Sequence, residues 1–253
     1  METHYNSLAS LRQFVIQQWP DQRLLFRGEA KPFPTTTPGS RRMIEDATLS
    51  FDERTFLLDA AGQFIEYVEE TSPSADPDDV EMFLQHYGLP NDLIDFTSSF
   101  EVAAYFACKD WPQEVGTFAV LLADIAEQRG LHLYDGRALG LVRPTRQHGW
   151  AFRCRPGDPS NLKEADSRLN GVLYWFTFDK VVSPADNLTG LDNILDTTGD
   201  PWAAQMRNWL QYCQGVAWQN SVLVSKRIAA ILRGLPMKAI SPNPAPQRTR
   251  PAP

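Results

Sequence analysis

The segment Gln85-His86-Tyr87-Gly88-Leu89-Pro90-Asn91-Asp92-Leu93-Ile94-Asp95-Phe96-Thr97 constrains this chain more than any other. It lies between two apolar stretches of helical spacing. Gly88 supplies a permissive backbone angle and Pro90 a fixed one, so a helix must stop there and a new element must begin. Around that turn sit an imidazole, an amide, a carboxylate and a hydroxyl. Such a set, aimed by a rigid turn between two packed elements, is what a binding or catalytic site needs.

The flanking elements follow from hydrophobic spacing. Leu8, Leu11, Phe14 and Val15 repeat at helical intervals behind the N-cap candidate Ser7, and Pro20 ends the run. Arg23 to Gly28 reads as a short buried strand that delivers Arg27 beside a glycine. The stretch 30–39, with three prolines and three consecutive threonines, reads as a surface loop that could wall a cleft. Ser50-Phe51-Asp52-Glu53 opens a long amphipathic helix reaching Thr71. Asp76-Pro77-Asp78-Asp79 starts another, whose acids complement its dipole. Leu93 to Phe96 is a short extended run, and Ser98 or Ser99 caps a helix bearing Val102, Ala103, Phe106 and Ala107. Thr97, Ser98 and Ser99 therefore sit at a strand-to-helix corner, where outward-facing backbone amides are expected. Further strands are expected at 116–122, 150–154 and 171–178, and helices at 201–214 and 221–235.

These elements make an α+β domain over residues 1–240: a small, mostly antiparallel split sheet surrounded by helices, with a C-terminal helical part at about 200–235. A chain of 253 residues without internal repeats can bury one such core. The net charge of -7 disfavours nucleic acid as a partner held through a broad basic surface. Cys108, Cys154 and Cys213 form no CxxC and no cluster at metal-ligand spacing, so no metal is expected. The same count suits reduced thiols in a cytoplasmic protein. The longest nearly apolar run, 118–126, is broken by Asp124 and is too short to span a bilayer.

Arg27, a guanidinium at a strand end, can grip phosphate or carboxylate with two prongs, or it can close an internal ion pair with Asp95 or Glu29. His86 can act as a general base or a donor to an anion, or it can hydrogen-bond a nearby carbonyl. Gln85 can orient a ligand amide or a ribose hydroxyl. Asp95 can orient Arg27 or His86, and its structural role is preferred.

Phe26-Arg27-Gly28, with Gln85-His86-Tyr87-Gly88-Leu89-Pro90 and then Leu93-Ile94-Asp95-Phe96-Thr97, resembles the FRG domain, which carries that tripeptide, QHxGxP and an LxDxT-like stretch. Asn91 and Asp92 stand where the family pattern has Thr and Arg, so one expected cation becomes an acid. The resemblance thins to Arg168 and Phe176 later in the chain, where Val172 and Tyr174 replace the family's Gln and Gly. The order of Arg27 and then Thr97-Ser98-Ser99 before a helix also resembles mono-ADP-ribosyltransferases, although the expected late strand, 171–178, holds no glutamate.

These resemblances imply an NAD-dependent ADP-ribosyltransferase-like enzyme, a toxin or an effector of phage defence. Its catalytic residues would be Arg27, His86 and Thr97. NAD, as substrate, would meet Arg27, Gln85, Thr97 and Ser98, with Arg27 on the phosphates or nicotinamide ribose, Thr97 and Ser98 bracing the nicotinamide pocket, and Gln85 and His86 on ribose or target. The other reading is a non-catalytic module binding a nucleotide or a protein partner, with Trp202, Trp209, Tyr212 and Trp218 as aromatic anchors. From Ser241 the chain is proline-rich and polar, and no core can form there. A chain ending at Ile240 is therefore expected to melt at the same temperature as the full chain in a thermal-shift assay, and a marked drop would count against a flexible tail.

Overall fold

The computed structural model describes residues 3–45, 50–71, 77–87, 89–108, 114–139, 141–155, 157–159, 161–164 and 166–180, together with 191, 194, 206–209 and 211. Its first helix, α1 (Leu8–Gln18), begins where the sequence requires. The Ser7 side chain accepts from Ser10 N at 3.2 Å, and one apolar stripe, Leu11 and Val15, is buried. The next strand, β2 (Leu24–Glu29), alternates in the period of two that strands impose. Leu25, Arg27 and Glu29 point to one face, and Leu24, Phe26 and Gly28 to the other.

β2 lies inside a seven-stranded sheet of order β1-β7-β4-β2-β3-β6-β5. The remaining strands are β1 (Thr3–Tyr5), β3 (Leu93–Thr97), β4 (Val115–Leu122), β5 (His132–Asp135), β6 (Gly149–Arg153) and β7 (Leu173–Asp179). Only β1 and β7 run parallel; every other neighbouring pair is antiparallel. The fold is thus α+β with a mostly antiparallel sheet. β2 is in register with β4 from Leu24–Leu122 through Glu29–Thr117, yet it meets β3 in the single pair Phe26–Thr97. Beyond that pair the ladder opens. The sheet is one continuous seven-stranded sheet, not the small split sheet expected, because the pair Phe26–Thr97 still joins β2 to β3 before the two strands part.

Each face of the sheet carries its own core. On one side, α1 and α5 (Phe100–Cys108) cover Phe26, Phe118, Phe176 and Phe178. α4 (Pro77–Tyr87) meets β3 on that same side and packs on α3 (Phe51–Thr71), where the rings of Phe64 and Phe83 stack at 6.1 Å. On the other side, α6 (Ala123–Gln128) and the segment after β6 close over Leu25, Leu121, Phe152, Leu162 and Leu169. No helix among the described residues is long and apolar enough to cross a membrane.

Several elements differ from the sequence expectation for physical reasons. The strand expected at 116–122 is found as β4, ending at Leu122, but the residues after it form α6, a short helix from Ala123 with Asp124 in its first turn that the sequence did not signal. The loop after β2 gives way to α2 (Gly39–Glu45), a helix with no apolar stripe long enough to read. β1, β5 and α7 (Val142–Arg146) are too short to leave a periodic signal. The late strand starts at Leu173 because Gly171, at φ 71°, turns the chain just before it. The expected helix 201–214 is described only at 206–209 and 211, which are helical, and Trp209 stacks on Tyr67 at 6.4 Å. The expected helix 221–235, the tail, Trp202, Tyr212 and Trp218 lie outside the described residues.

The crossing of α5 over β2 explains the glycine beside Arg27. A Cβ on Gly28 would lie 1.8 Å from the Ala103 carbonyl oxygen and 2.7 Å from Ala107 N, both backbone atoms that cannot step aside. Gly28→Ala is accordingly expected to destabilise the protein by about 3 kcal/mol, the upper end of overpacking costs, in urea denaturation. A loss under about 1 kcal/mol would mean that α5 does not approach so closely.

Candidate functional site

A carboxylate on a central strand cannot stay buried without partners. Glu29 ends β2 with its side chain only 4 % exposed, and it has three. Its Oε1 accepts from Arg27 Nε at 3.2 Å and from the Thr36 hydroxyl at 2.7 Å, while its Oε2 accepts from Lys163 Nζ at 2.8 Å. Arg27 and Glu29, two apart on a strand, share a face, which makes this pairing local. Lys163 comes from a distant turn fastened to the loop after β2. Thr36 N donates to Asn161 Oδ1 at 2.9 Å, Leu162 N donates to Thr36 O at 2.9 Å, and Lys163 Nζ also reaches Phe33 O at 2.6 Å.

Arg27 also fills the parting of the sheet. Its Nη1 donates to the Asp95 carbonyl at 3.0 Å, an acceptor on the part of β3 that has left the β2 ladder. The ion-pair partner is therefore Glu29, and Asp95 contributes its backbone. The Arg27 side chain keeps 20 % exposure, and among the described residues its Nη2 donates to no protein acceptor. The Asp95 carboxylate turns to α4, where Gln85 Nε2 donates to Oδ2 at 3.0 Å, while Oδ1 is buried with no hydrogen-bond partner among the described residues.

A second guanidinium comes from α2. Ser40 anchors that helix, its N donating to Asn91 O at 2.9 Å and its hydroxyl to the Asp92 carboxylate. Arg42 follows half a turn later and, although largely solvent-facing as a residue, has its pKa held below the ordinary arginine value. Desolvation is the main cause, followed by repulsion from Arg27, against which Asp95 and Glu29 pull. Arg42 thus feels Arg27 and the carboxylates Glu29 and Asp95, and Lys163 is paired with Glu29. The local excess of positive charge favours an anionic ligand.

The other expected site residues gather around 147–149. Thr97 is 5 % exposed, and its hydroxyl donates to Gln147 O at 2.7 Å and accepts from Ser99 N at 3.0 Å. Ser98 N donates to His148 O at 3.0 Å, and Val102 N donates to the Ser99 hydroxyl at 3.2 Å. The Ser98, Ser99 and Val102 amides of this corner are therefore occupied, contrary to the expectation of free ones. His86 is 7 % exposed; its carbonyl accepts from Arg143, and its ring packs against β6 so closely that a Cβ on Gly149 would stand 3.5 Å from Nε2. The structure thus joins Arg27 and Gln85 through Asp95, and His86 and Thr97 through the segment 147–149.

Arg168 lies elsewhere, held by Asp158 at 2.8 Å and by Asp166, and Phe176 belongs to the core. The two described cysteines, Cys108 and Cys154, are free thiols whose pKa burial raises, that of Cys154 to about 12, so neither is a thiolate nucleophile at neutral pH. Lys163 had no sequence signal of its own. The signal available was indirect: an acid two residues after Arg27 on a buried strand demands a cation from somewhere.

With this geometry in place, comparison with known proteins gives one result. Residues 22–115 match the family model of the FRG domain, and an FRG domain is therefore present in that part of the chain. The match holds β2, α2 to α5, β3, Arg27, Glu29, Arg42, Gln85 and Asp95; Lys163 lies beyond it. No curated protein and no solved structure matches the chain.

Breaking a buried pair by removing one partner strands the other, whereas removing both relieves the desolvation of each. Glu29→Ala is expected to cost about 3–5 kcal/mol in chemical denaturation, and the double variant Glu29→Leu with Lys163→Met should recover most of that loss. A single variant as stable as the parent protein would contradict the buried cluster.

Proposed function

We propose that this FRG domain binds NAD at the parting of β2 from β3 and acts on it as an ADP-ribosyltransferase-like enzyme. The observation that carries the reading is the state of Arg27. Two of its nitrogens are fixed by Glu29 and the Asp95 carbonyl, while Nη2, on a partly exposed side chain, donates to no acceptor among the described residues. A guanidinium held this way loses little freedom on gripping a phosphate, and Arg42 adds a second cation.

In glycosyl transfer from NAD the bond between nicotinamide and ribose breaks, and nicotinamide leaves with the bonding pair while positive charge grows on the sugar. An oxygen of water or a nucleophile of the target forms the new bond and gives up its proton to solvent. Asp95, whose Oδ1 lacks a donor, is the acceptor best suited to a ribose hydroxyl beside that charge. Gln85 orients Asp95 by its bond to Oδ2. Thr97 holds the β3–α5 corner through the Gln147 carbonyl, His86 lies beside Gly149, and Ser98 braces the nicotinamide from that corner. An activity that consumes NAD accords with the role of toxin or phage-defence effector, acting in the cytoplasm where NAD is met.

One observation favours the second reading, a module that binds a nucleotide without turning it over. Both oxygens of Glu29 are engaged by protein donors, which leaves Asp95 as the carboxylate of this cluster with an unfilled acceptor. Incubation with NAD separates the two. NAD is expected to raise the melting temperature of the protein, Arg27→Ala to abolish that rise, and nicotinamide to appear only with the parent protein. Binding without nicotinamide release would select the module. If NAD leaves the melting temperature unchanged and Arg27→Ala merely destabilises the protein, Arg27 belongs to the framework and the proposal is wrong.

A further inference from the structure

A cavity of about 450 Å³ opens on the sheet face that carries Arg27 and Glu29, outside the FRG match. Its walls include Lys163, Glu164, Asp166, Asn170, Leu173 and Trp175. Its place relative to Arg27 follows from the register. Arg27 is opposite Ala119 of β4, and Ala119 is opposite Trp175 of β7, so the three share one face in one row. Two strand spacings separate Arg27 from Trp175, roughly 10 Å. Lys163 spans the gap: its ammonium bonds Glu29, which bonds Arg27, and lies 4.4 Å from the centre of the Trp175 ring.

The two ends of this row differ in chemistry. Towards Arg27 and Arg42 the surface is cationic. Around the cavity it carries an indole, leucine side chains, the exposed Glu164 carboxylate, the Asp166 carboxylate already paired with Arg168, and the mixed donor and acceptor of Asn170. Glu164 Oε1 accepts from Asn161, and its Oε2 is the acceptor offered to a ligand. Carboxylates repel phosphate but accept from sugar hydroxyls and from exocyclic amines. An amide reads a base edge, and an aromatic wall suits a flat ring.

We propose that this cavity is the nucleoside half of the site, taking the base and ribose of a nucleotide whose phosphates meet Arg27. The inference rests on the nucleotide-binding reading above and adds to it an orientation and a second set of binding residues, Trp175 and Asn170. Phosphates lie towards the strand parting, and the base lies against Trp175. Lys163, already tied to Glu29, stands between them and fixes the distance from one end to the other.

The probes are NAD, adenosine and inorganic pyrophosphate, titrated calorimetrically into the parent protein and into Arg27→Ala, Asn170→Ala and Trp175→Leu. Asn170 is exposed, so its variant preserves the fold even if the loss of Trp175 does not. NAD and adenosine should both weaken in Asn170→Ala and Trp175→Leu, by roughly tenfold or more where the aromatic wall is removed, while pyrophosphate is unchanged. Arg27→Ala should show the reverse, losing pyrophosphate and weakening NAD while adenosine is retained. If NAD binds through Arg27 and neither Asn170→Ala nor a folded Trp175→Leu alters it, the cavity is not the nucleoside site, although the nucleotide reading stands. Adenosine held by the cavity with no effect of Arg27→Ala on NAD or pyrophosphate would keep the cavity and remove the Arg27 reading. Failure of all three probes to bind the parent protein would overturn both.

Discussion

The buried carboxylate of Glu29 is the interaction on which the site depends. Moving a charge out of water costs several kcal/mol even after relaxation, and only well-placed donors offset that cost. Glu29 obtains them from three parts of the chain: Arg27 on its own strand, Thr36 on the following loop, and Lys163 beyond β6. The loop after β2 and the turn at 161–164 are thereby held over one face of the sheet. Arg27 is fixed by the same contact at one nitrogen and by the Asp95 carbonyl at another, so a flexible side chain becomes an oriented one.

The tripeptide Phe26-Arg27-Gly28 then reads as a unit of strand geometry. Successive side chains alternate between faces. Phe26 goes into the core beneath α1 and α5, and Gly28, two residues on, lies on that same face where α5 passes too close for any Cβ. Arg27 must point the other way, towards Glu29 and the parting from β3. The phenylalanine and the glycine dock the helix, and that docking sets which face the arginine occupies. Function on one face and packing on the other are coupled through three consecutive residues.

Long periodic elements and turn chemistry were legible in the sequence. Ser7 caps α1, α3 and α4 lie close to where apolar spacing and acidic first turns put them, and β3 leads into α5 through the expected corner. The short pieces were not legible: β1 and β5 have too few residues to show a period, and α2 is only seven residues long. In the site, the local pair Arg27–Glu29 follows from an interval of two on a strand and was among the ion pairs open to Arg27. Lys163 was out of reach, because its place depends on a turn and a backbone bond to Thr36 that no periodicity encodes. The corner amides were misread for a related reason. Their partners, His148 O and the hydroxyls of Thr97 and Ser99, depend on how β6 pairs with β3 and on local turns that spacing alone does not reveal.

The acid at position 92 shows how a departure from a family pattern can be absorbed. By sequence alone, Asp92 in place of Arg removes a cation from the neighbourhood of Asp95. In the fold its carboxylate accepts from Ser40 and, with the Asn91 carbonyl, fastens the start of α2 against the approach to β3. That helix brings Arg42 to where it feels Arg27, Asp95 and Glu29 together. Arg42 is thus a cation of that neighbourhood brought by another element, and Asp92 helps hold the helix that carries it. Charge at the parting of the sheet is a property of the assembled neighbourhood, so the positive excess that favours an anionic ligand survives the reversal at a single position.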